Sequence, residues 1–341
     1  MATCKKRLIH NDEIARFIPE LQRSDAADGG RNDNGVIWFR EHLETRLAKV
    51  YQTERPQYQF ANQEILPVRG TVPARDGEMG FYYMWDHEGV AKWLSAGSGT
   101  DIPTVSLKRD RKTFTVHRAA LGWQVDMDDI ERARERDGAS LEFMNMEAAA
   151  EGLDSQFDDA AFAGDSVKGF PGFTTIPNMT VVIAAAGNGG AYRWSTLGAT
   201  AKTTIEAKQD VDLLRRIVRA VTKNLHDINY VWLPPSFWER TTSLFIANTS
   251  KTLREHLLES FPGVTFKEVR RLENAGQYNG PVIMAAKITT EEDCWIERPD
   301  HLVPGLTERV GETIKGYLKT FHGGVVCVYP LRFVRMDFPA D

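Results

Sequence analysis

The sequence predicts an α+β fold, and three stretches carry that expectation. Ser140 to Ala163, SLEFMNMEAAAEGLDSQFDDAAFA, is an uninterrupted helical pattern in which Phe143, Met146, Ala150, Leu153, Phe157 and Ala160 recur at steps of three and four. Residues 78–126 hold two strand patterns separated by the turn-forming AGSGTDIP, as a long hairpin would. From 178 to 300, short apolar strands alternate with capped helices, which describes a compact α/β unit.

The spine helix has the clearest limits. Ser140 can cap its start, Gly164 can end it in the left-handed conformation, and no proline intervenes. At ~1.5 Å per residue it would run about 36 Å, the length of a domain. Glu147, Glu151, Asp154, Asp158 and Asp159 are expected largely on its exposed faces.

Composition narrows the function classes. The 341 residues hold 42% apolar and 26% charged side chains with a formal charge of −5, an ordinary globular balance. No stretch approaches the ~20 apolar residues of a membrane span. MATCKKRLIHNDE has no apolar run resembling a secretion signal, so a chain used inside a cell is expected. Cys4, Cys294 and Cys327 are far apart with no CxxC, which predicts reduced thiols. A slightly acidic chain is also unsuited to tight binding of phosphate backbones.

The N-terminal 35 residues are polar, with AADGGRNDNG unable to bury apolar area. Phe39, Leu43, Leu47 and Val50 predict a helix within 36–52, after which RPQYQFANQEILPVRG is expected as extended chain. GFYYMWDHEG (80–89) and SLKRDRKTFTVHRAALGWQV (106–125) are the hairpin strands. Lys108, Arg109, Asp110, Arg111 and Lys112 place charge on both faces of the second strand, so that part must project from any core. A long lone hairpin is marginal in water, which suggests subunits or other molecules beneath it; a solvated sheet edge is the other reading. GDSVKGFPGFTTIP (164–177) forces a series of turns.

Within the α/β unit, TVVIAAAG, YVWL, VTFKEV and PVIMAAKI read as strands. Thr203 with Glu206 opens a helix carrying Val211, Leu214, Val218, Val221 and Leu225, and Thr252 with Glu255 opens another. Ser236 with Glu239 is expected to cap a short helix after Pro234 and Pro235. GGVVCVYPLRFVRMDF (323–338) is a closing strand expected beside the spine.

Motifs for chemistry are missing. GNGG at 187–190 lacks the third glycine and the helix of a dinucleotide loop, and reads as a turn. GDSVKG lacks the second glycine of a nucleophile elbow. Asp126, Asp128 and Asp129 resemble half a calcium loop without its glycine and terminal glutamate, and fit better as an acidic helix start. No catalytic residue, cofactor or metal ligand is assigned.

The order of parts carries a resemblance. A polar arm, EILPV, a long charged hairpin, GWQVDMDDIERARERDGASLE running into the spine, GDSVKGFPGFTTIP, an α/β unit and a closing GGVVCVYPL resemble a tailed-bacteriophage major capsid protein of the Hong Kong 97 type. The resemblance spans nearly the whole chain; its most specific piece is the helix, Gly-Asp, then Gly-Phe-Pro-Gly-Phe and Ile-Pro. It implies an arm over 1–63, an extended loop over 64–126, a peripheral domain over 127–175, an axial domain over 176–320, and a C-terminal strand over 321–341 returning to the peripheral domain.

The function so implied is structural: pentamers and hexamers of this chain forming an icosahedral shell around double-stranded DNA, built in the host cytoplasm and ending as the virion capsid. The implied partners are many copies of itself, with portal, scaffold and decoration proteins beside it and DNA touched weakly. No long charged helix precedes the arm, so a fused scaffolding segment is not expected. An encapsulin-type compartment shell shares this logic, and an enzyme built on 178–300 is the alternative of a different class. On the capsid reading, Lys108, Arg109, Arg111 and Lys112 are expected to lie over an acidic surface of an adjacent subunit, with Asp126, Asp128, Asp129 and Glu131 as its candidates.

Overall fold

The computed structural model describes residues 58–93, 104–137, 141–194, 201–246 and 249–339. Chain contacts separate residues 1–57 from 58–341, and all described residues belong to the second unit. The helix expected over 36–52, the capping role of Ser140, and Cys4 lie outside the described residues.

Turns over 58–66 lead to β1 (Val68–Arg69), the hairpin strands β2 (Met79–Glu88) and β3 (Ser106–Thr115), then β4 (His117–Asp126), α1 (Met127–Asp137) and the spine helix α2 (Leu141–Ala163). The junction forms β5 (Gly164–Asp165), β6 (Phe170–Pro171) and a 3-10 turn at Phe173–Thr175. Next come β7 (Thr180–Ile183), α3 (Thr204–Val221), β8 (Tyr230–Leu233), α4 (Pro235–Ser243), α5 (Leu253–Ser260), β9 (Thr265–Glu268) and β10 (Val282–Ala286). The chain continues through β11 (Cys294–Glu297), β12 (Val303–Pro304), β13 (Glu308–Val310), β14 (Thr313–His322), β15 (Gly324–Cys327) and β16 (Phe333–Asp337).

A five-stranded sheet in the order β7-β16-β10-β8-β9 is buried on both faces. Alternation along β10 sends Ile283 and Ala285 towards α3, α4 and α5, and Val282, Met284 and Ala286 towards the spine side. On the helix side Val211, Leu214 and Val218 of α3 pack with Phe237, Leu253 and Leu257. Val221 and Leu225, expected on the same stripe, are exposed because α3 ends at Val221. The capping boxes at Thr203–Glu206 and Thr252–Glu255 both form. That at Ser236 does not: Pro234 is the N-cap, and the Ser236 amide donates to Glu273 at 3.1 Å.

The spine bridges two cores. Ala149 and Leu153 pack with Leu318 beneath β4 and β14, while Phe157 and Ala161 enter the core under the five-stranded sheet. The buried stripe therefore steps by four through Ala149, Leu153, Phe157 and Ala161, and the expected stripe is corrected at its first half, where Phe143 and Met146 are exposed. Gly164 ends the helix with φ of 76°, and a Cβ there would lie 2.5 Å from the Gly172 nitrogen. Glycine is needed for both reasons.

Other expectations are corrected by distant partners. Residues 58–66 turn instead of extending, and insert Phe60, Ile65 and Leu66 into the core. Asp158 is buried where exposure was expected, accepting from the Phe60 amide at 2.8 Å and pairing with Arg271 at 3.0 Å. Burial pushes its carboxyl up from the usual range. The strand expected over 106–125 breaks at Val116, which is fully buried: β3 pairs with β2, and β4 turns to pair with β14. The closing stretch also divides. β15 pairs with β11, but β16 lies between β7 and β10 in the five-stranded sheet, away from its expected place beside the spine.

Glu297 and Arg298 connect these pieces. The buried Glu297 carboxylate accepts from the Thr71 amide at 2.6 Å, its hydroxyl at 2.8 Å, the Val72 amide at 3.2 Å and Trp295 Nε1 at 2.8 Å. Arg298 donates to Asp154 of the spine at 2.7 Å, to Thr320 of β14 at 3.3 Å and to the His301 carbonyl at 3.1 Å. Its guanidinium carbon lies 4.2 Å from the Phe157 ring centre. Asp154→Ala would leave this buried cation without its anion and is expected to cost about 3 kcal/mol or more in urea unfolding. Adding Arg298→Met is expected to recover most of that loss.

Candidate inter-subunit surface

The surface most in need of a partner is the hairpin. Its strands pair in one register from Met79 with Thr115 to Glu88 with Ser106. At its root the Gly77 amide donates to the Val116 carbonyl, and the Val116 amide to that of Glu78, each at 2.9 Å. Beyond that root nearly all of β3 is exposed.

Period-two alternation sorts the side chains. Phe81, Tyr83 and Trp85 share one face with Arg111 and Arg109 opposite them. The Arg109 guanidinium lies 3.3 Å from the Tyr83 ring centre and 5.3 Å from that of Trp85, and Arg111 lies 4.4 Å from Phe81. The ladder interleaves aromatic planes with cations, yet Trp85 stays 60% exposed and Phe81 51%. Exposed cation–π contacts contribute only about 0.5–1 kcal/mol each, and a contiguous apolar patch of this kind marks an interaction site.

Lys108 and Lys112 point to the other face, with Asp110 between them and 2.7 Å from Lys112 Nζ. Hydrogen bonding from Lys112 holds the Asp110 carboxyl below its usual range. This face overlooks a groove of about 1270 Å³ lined by Tyr82, Met84, Phe170, Val326, Cys327 and Arg332, and Tyr82 donates its hydroxyl to the Cys327 carbonyl at 3.3 Å. The four basic residues therefore form two surfaces, Arg109 and Arg111 on one and Lys108 and Lys112 on the other.

Asp126 ends β4, Asp128 and Asp129 occupy the first turn of α1, and Glu131 follows; all four are exposed. Carboxylates are favoured there by the partial positive charge at a helix start. Among the described residues no ion pair joins this acidic set to the hairpin cations. On the spine, which packs against β4 and α1, Phe143 is 58% exposed, and Met144 and Met146 are exposed as well. Sequence reading found both charged sets but missed the aromatic ladder, although the odd-numbered Phe81, Tyr83 and Trp85 carried its signal.

A histidine pair sits where β4 begins and β14 ends, beside the root. His117 is opposite His322, whose ring meets Phe170 edge-on at 5.1 Å and Phe157 at 6.1 Å. His322 Nδ1 and His117 Nε2 are buried with no hydrogen-bond partner. Burial first, then Arg298 and His117, push the His322 pKa down to about 4. Among the described residues no group of three or more His, Cys, Asp or Glu could hold a metal ion, and no helix is long and apolar enough to cross a membrane.

The family described as Major capsid protein matches residues 89–338, well over half of the chain. The chain belongs to the major capsid protein family. The capsid of Myoviridae phage XM1 superposes on it with a TM-score of 0.69 at 15% identity, covering 92% of this chain and 100% of that one. The capsid of a native GTA particle gives 0.59 at 12% identity, covering 86% and 94%, and Mycobacterium phage Ogopogo gives 0.54 at 11%, covering 85% and 94%. No curated protein sequence matches it. The capsid chain has the Hong Kong 97-type fold and, as a major capsid protein, is a structural shell protein present in many copies in the virion capsid. Neither the compartment-shell nor the enzyme reading is favoured.

The histidine pair gives the capsid chain an acid-sensitive point. His322 ordinarily titrates near 6.5, so between that value and about 4 the unfolded chain binds more protons than the folded one. Stability from keeping this ring neutral is fully present above pH 6.5 and is lost as pH falls towards 4, on the order of 3 kcal/mol in all. Thermal melts across that window are expected to show the loss in the wild type and a flatter profile in His322→Phe.

Proposed function

We propose that this capsid chain closes into pentamers and hexamers through its hairpin, and that these rings form an icosahedral shell around double-stranded DNA. The observation that carries the reading is the exposed ladder of Phe81, Tyr83, Trp85, Arg109 and Arg111 on a two-stranded projection. A ring needs heterologous contacts, in which a projection on one subunit meets a different surface on the next. The ladder combines apolar planes with positive charge, and so suits a surface that is itself apolar and acidic. Exposed Phe143 and Met146 on the spine, together with Asp126, Asp128, Asp129 and Glu131, supply both properties on the neighbouring copy. Lys108 and Lys112 belong to the same contact from the opposite hairpin face.

In this assembly residues 1–63 act as an arm, 64–126 as the extended loop, 127–175 as a peripheral domain on the spine, and 176–320, joined by β16, as the axial domain. A net charge of −5 lets the shell contain DNA without gripping it. Assembly takes place in the host cytoplasm with portal, scaffold and decoration proteins as further partners.

The double variant Arg109→Glu with Arg111→Glu is expected to lower shell yield by about tenfold or more, since like charges would meet across a repeated contact. Electron microscopy and sedimentation of purified protein read the yield, with circular dichroism as the control for folding. Wild-type yield from the folded variant would remove the hairpin from the contact.

A further inference from the structure

Two cysteines far apart in sequence become neighbours in the fold. β11 and β15 run antiparallel with Cys294 opposite Cys327. The Val328 amide donates to the Asp293 carbonyl at 2.9 Å, which is the bond that flanks a non-hydrogen-bonded pair. Opposing Cα atoms at such a site are about 4.5 Å apart with their side chains close together. Disulfides span Cα separations of about 4.4–6.8 Å, so joining these sulfurs needs side-chain rotation and no movement of the strands.

The pair has an inner and an outer member. Cys294 is fully buried against the core; Cys327 is half-buried and lines the groove beside the hairpin, where the Tyr82 hydroxyl meets its carbonyl. Both thiols are free. Burial, and then the hydrogen-bonded Cys327 sulfur, raise the Cys294 thiol well above its usual range.

We propose that Cys294 and Cys327 form a covalent modification site, which takes a small disulfide oxidant of the oxidised-glutathione type through the groove and becomes an intrachain disulfide. The Cys327 thiolate attacks one sulfur of the oxidant, breaks its S–S bond and releases one thiolate, which takes up a proton. Cys294 then gives its proton to solvent and attacks the Cys327 sulfur, forming the Cys294–Cys327 bond and expelling the second thiol. The protein loses two electrons and two protons, and the oxidant leaves as two thiols. The new bond closes a long loop and ties β11, which ends at Glu297, to β15. The first step has the groove thiol as its nucleophile; the second waits on deprotonation of the inner one, so closure quickens as pH rises.

The test uses the full chain with Cys4→Ser, incubated with oxidised glutathione at about pH 7 and about pH 8.5, then alkylated and mapped by peptide mass. The expected result is loss of both thiols, a linked Cys294–Cys327 peptide formed severalfold faster at the higher pH, and an unfolding midpoint raised by several degrees that dithiothreitol reverses. Cys327→Ser, altered at the half-buried member, is expected to fold and yield no linked peptide. Thiols that stay unmodified, a reaction that stops at a mixed disulfide on Cys327 at both pH values, or linkage between different chains would each overturn the proposal.

Discussion

Arg298 holds three parts of this protein in place with one guanidinium. It reaches Asp154 on the spine, Thr320 on β14 and the His301 carbonyl, and stacks over Phe157, while the adjacent Glu297 gathers the Thr71 and Val72 amides ahead of the hairpin. A buried charge of this kind costs desolvation and tolerates few geometries, so it specifies an arrangement more than it stabilises one. The spine, the β4–β14 ladder and the start of the extended loop are thereby fixed against each other. The five-stranded sheet is held by apolar side chains on both its faces and carries its own ion pair, Arg335 with the buried Asp337, on β16.

The contrast between these regions explains the function of the fold. Residues around β8, β10 and β16 are buried within one chain. The hairpin pairs its backbone, and leaves on one face an exposed aromatic and cationic ladder. Placing a rigid clamp at the base of an incomplete projection aims that projection without finishing it. A shell protein has this requirement: the direction of each contact belongs to the subunit, and its completion to the neighbour.

Legibility in the sequence followed the range of the interactions. The capping boxes at Thr203 and Thr252 span three residues and were readable, as was the end of the spine at Gly164. The same motif at Ser236 failed because Pro234 took the cap position and Glu273, from a distant turn, took the amide. No glycine or proline marks the break at Val116; it exists because β14, nearly two hundred residues later, pairs with β4. Asp158 reads as an exposed helical carboxylate until the Phe60 amide and Arg271 are beside it. The charged sets of the contact surface were legible, but the ladder that gives the hairpin its apolar face depended on cross-strand register, and so did the meeting of Cys294 with Cys327.

Hydrogen exchange compared between soluble subunits and assembled shells tests the central claim most directly. Amides of Val282–Ala286 and Cys294–Glu297 should be strongly protected in both states, since their strands are complete within the chain. Those of Met79–Glu88 and Ser106–Thr115 should exchange quickly in the subunit and become protected by at least an order of magnitude in the shell. Equal protection of the hairpin in both states would contradict the claim that neighbouring copies complete it.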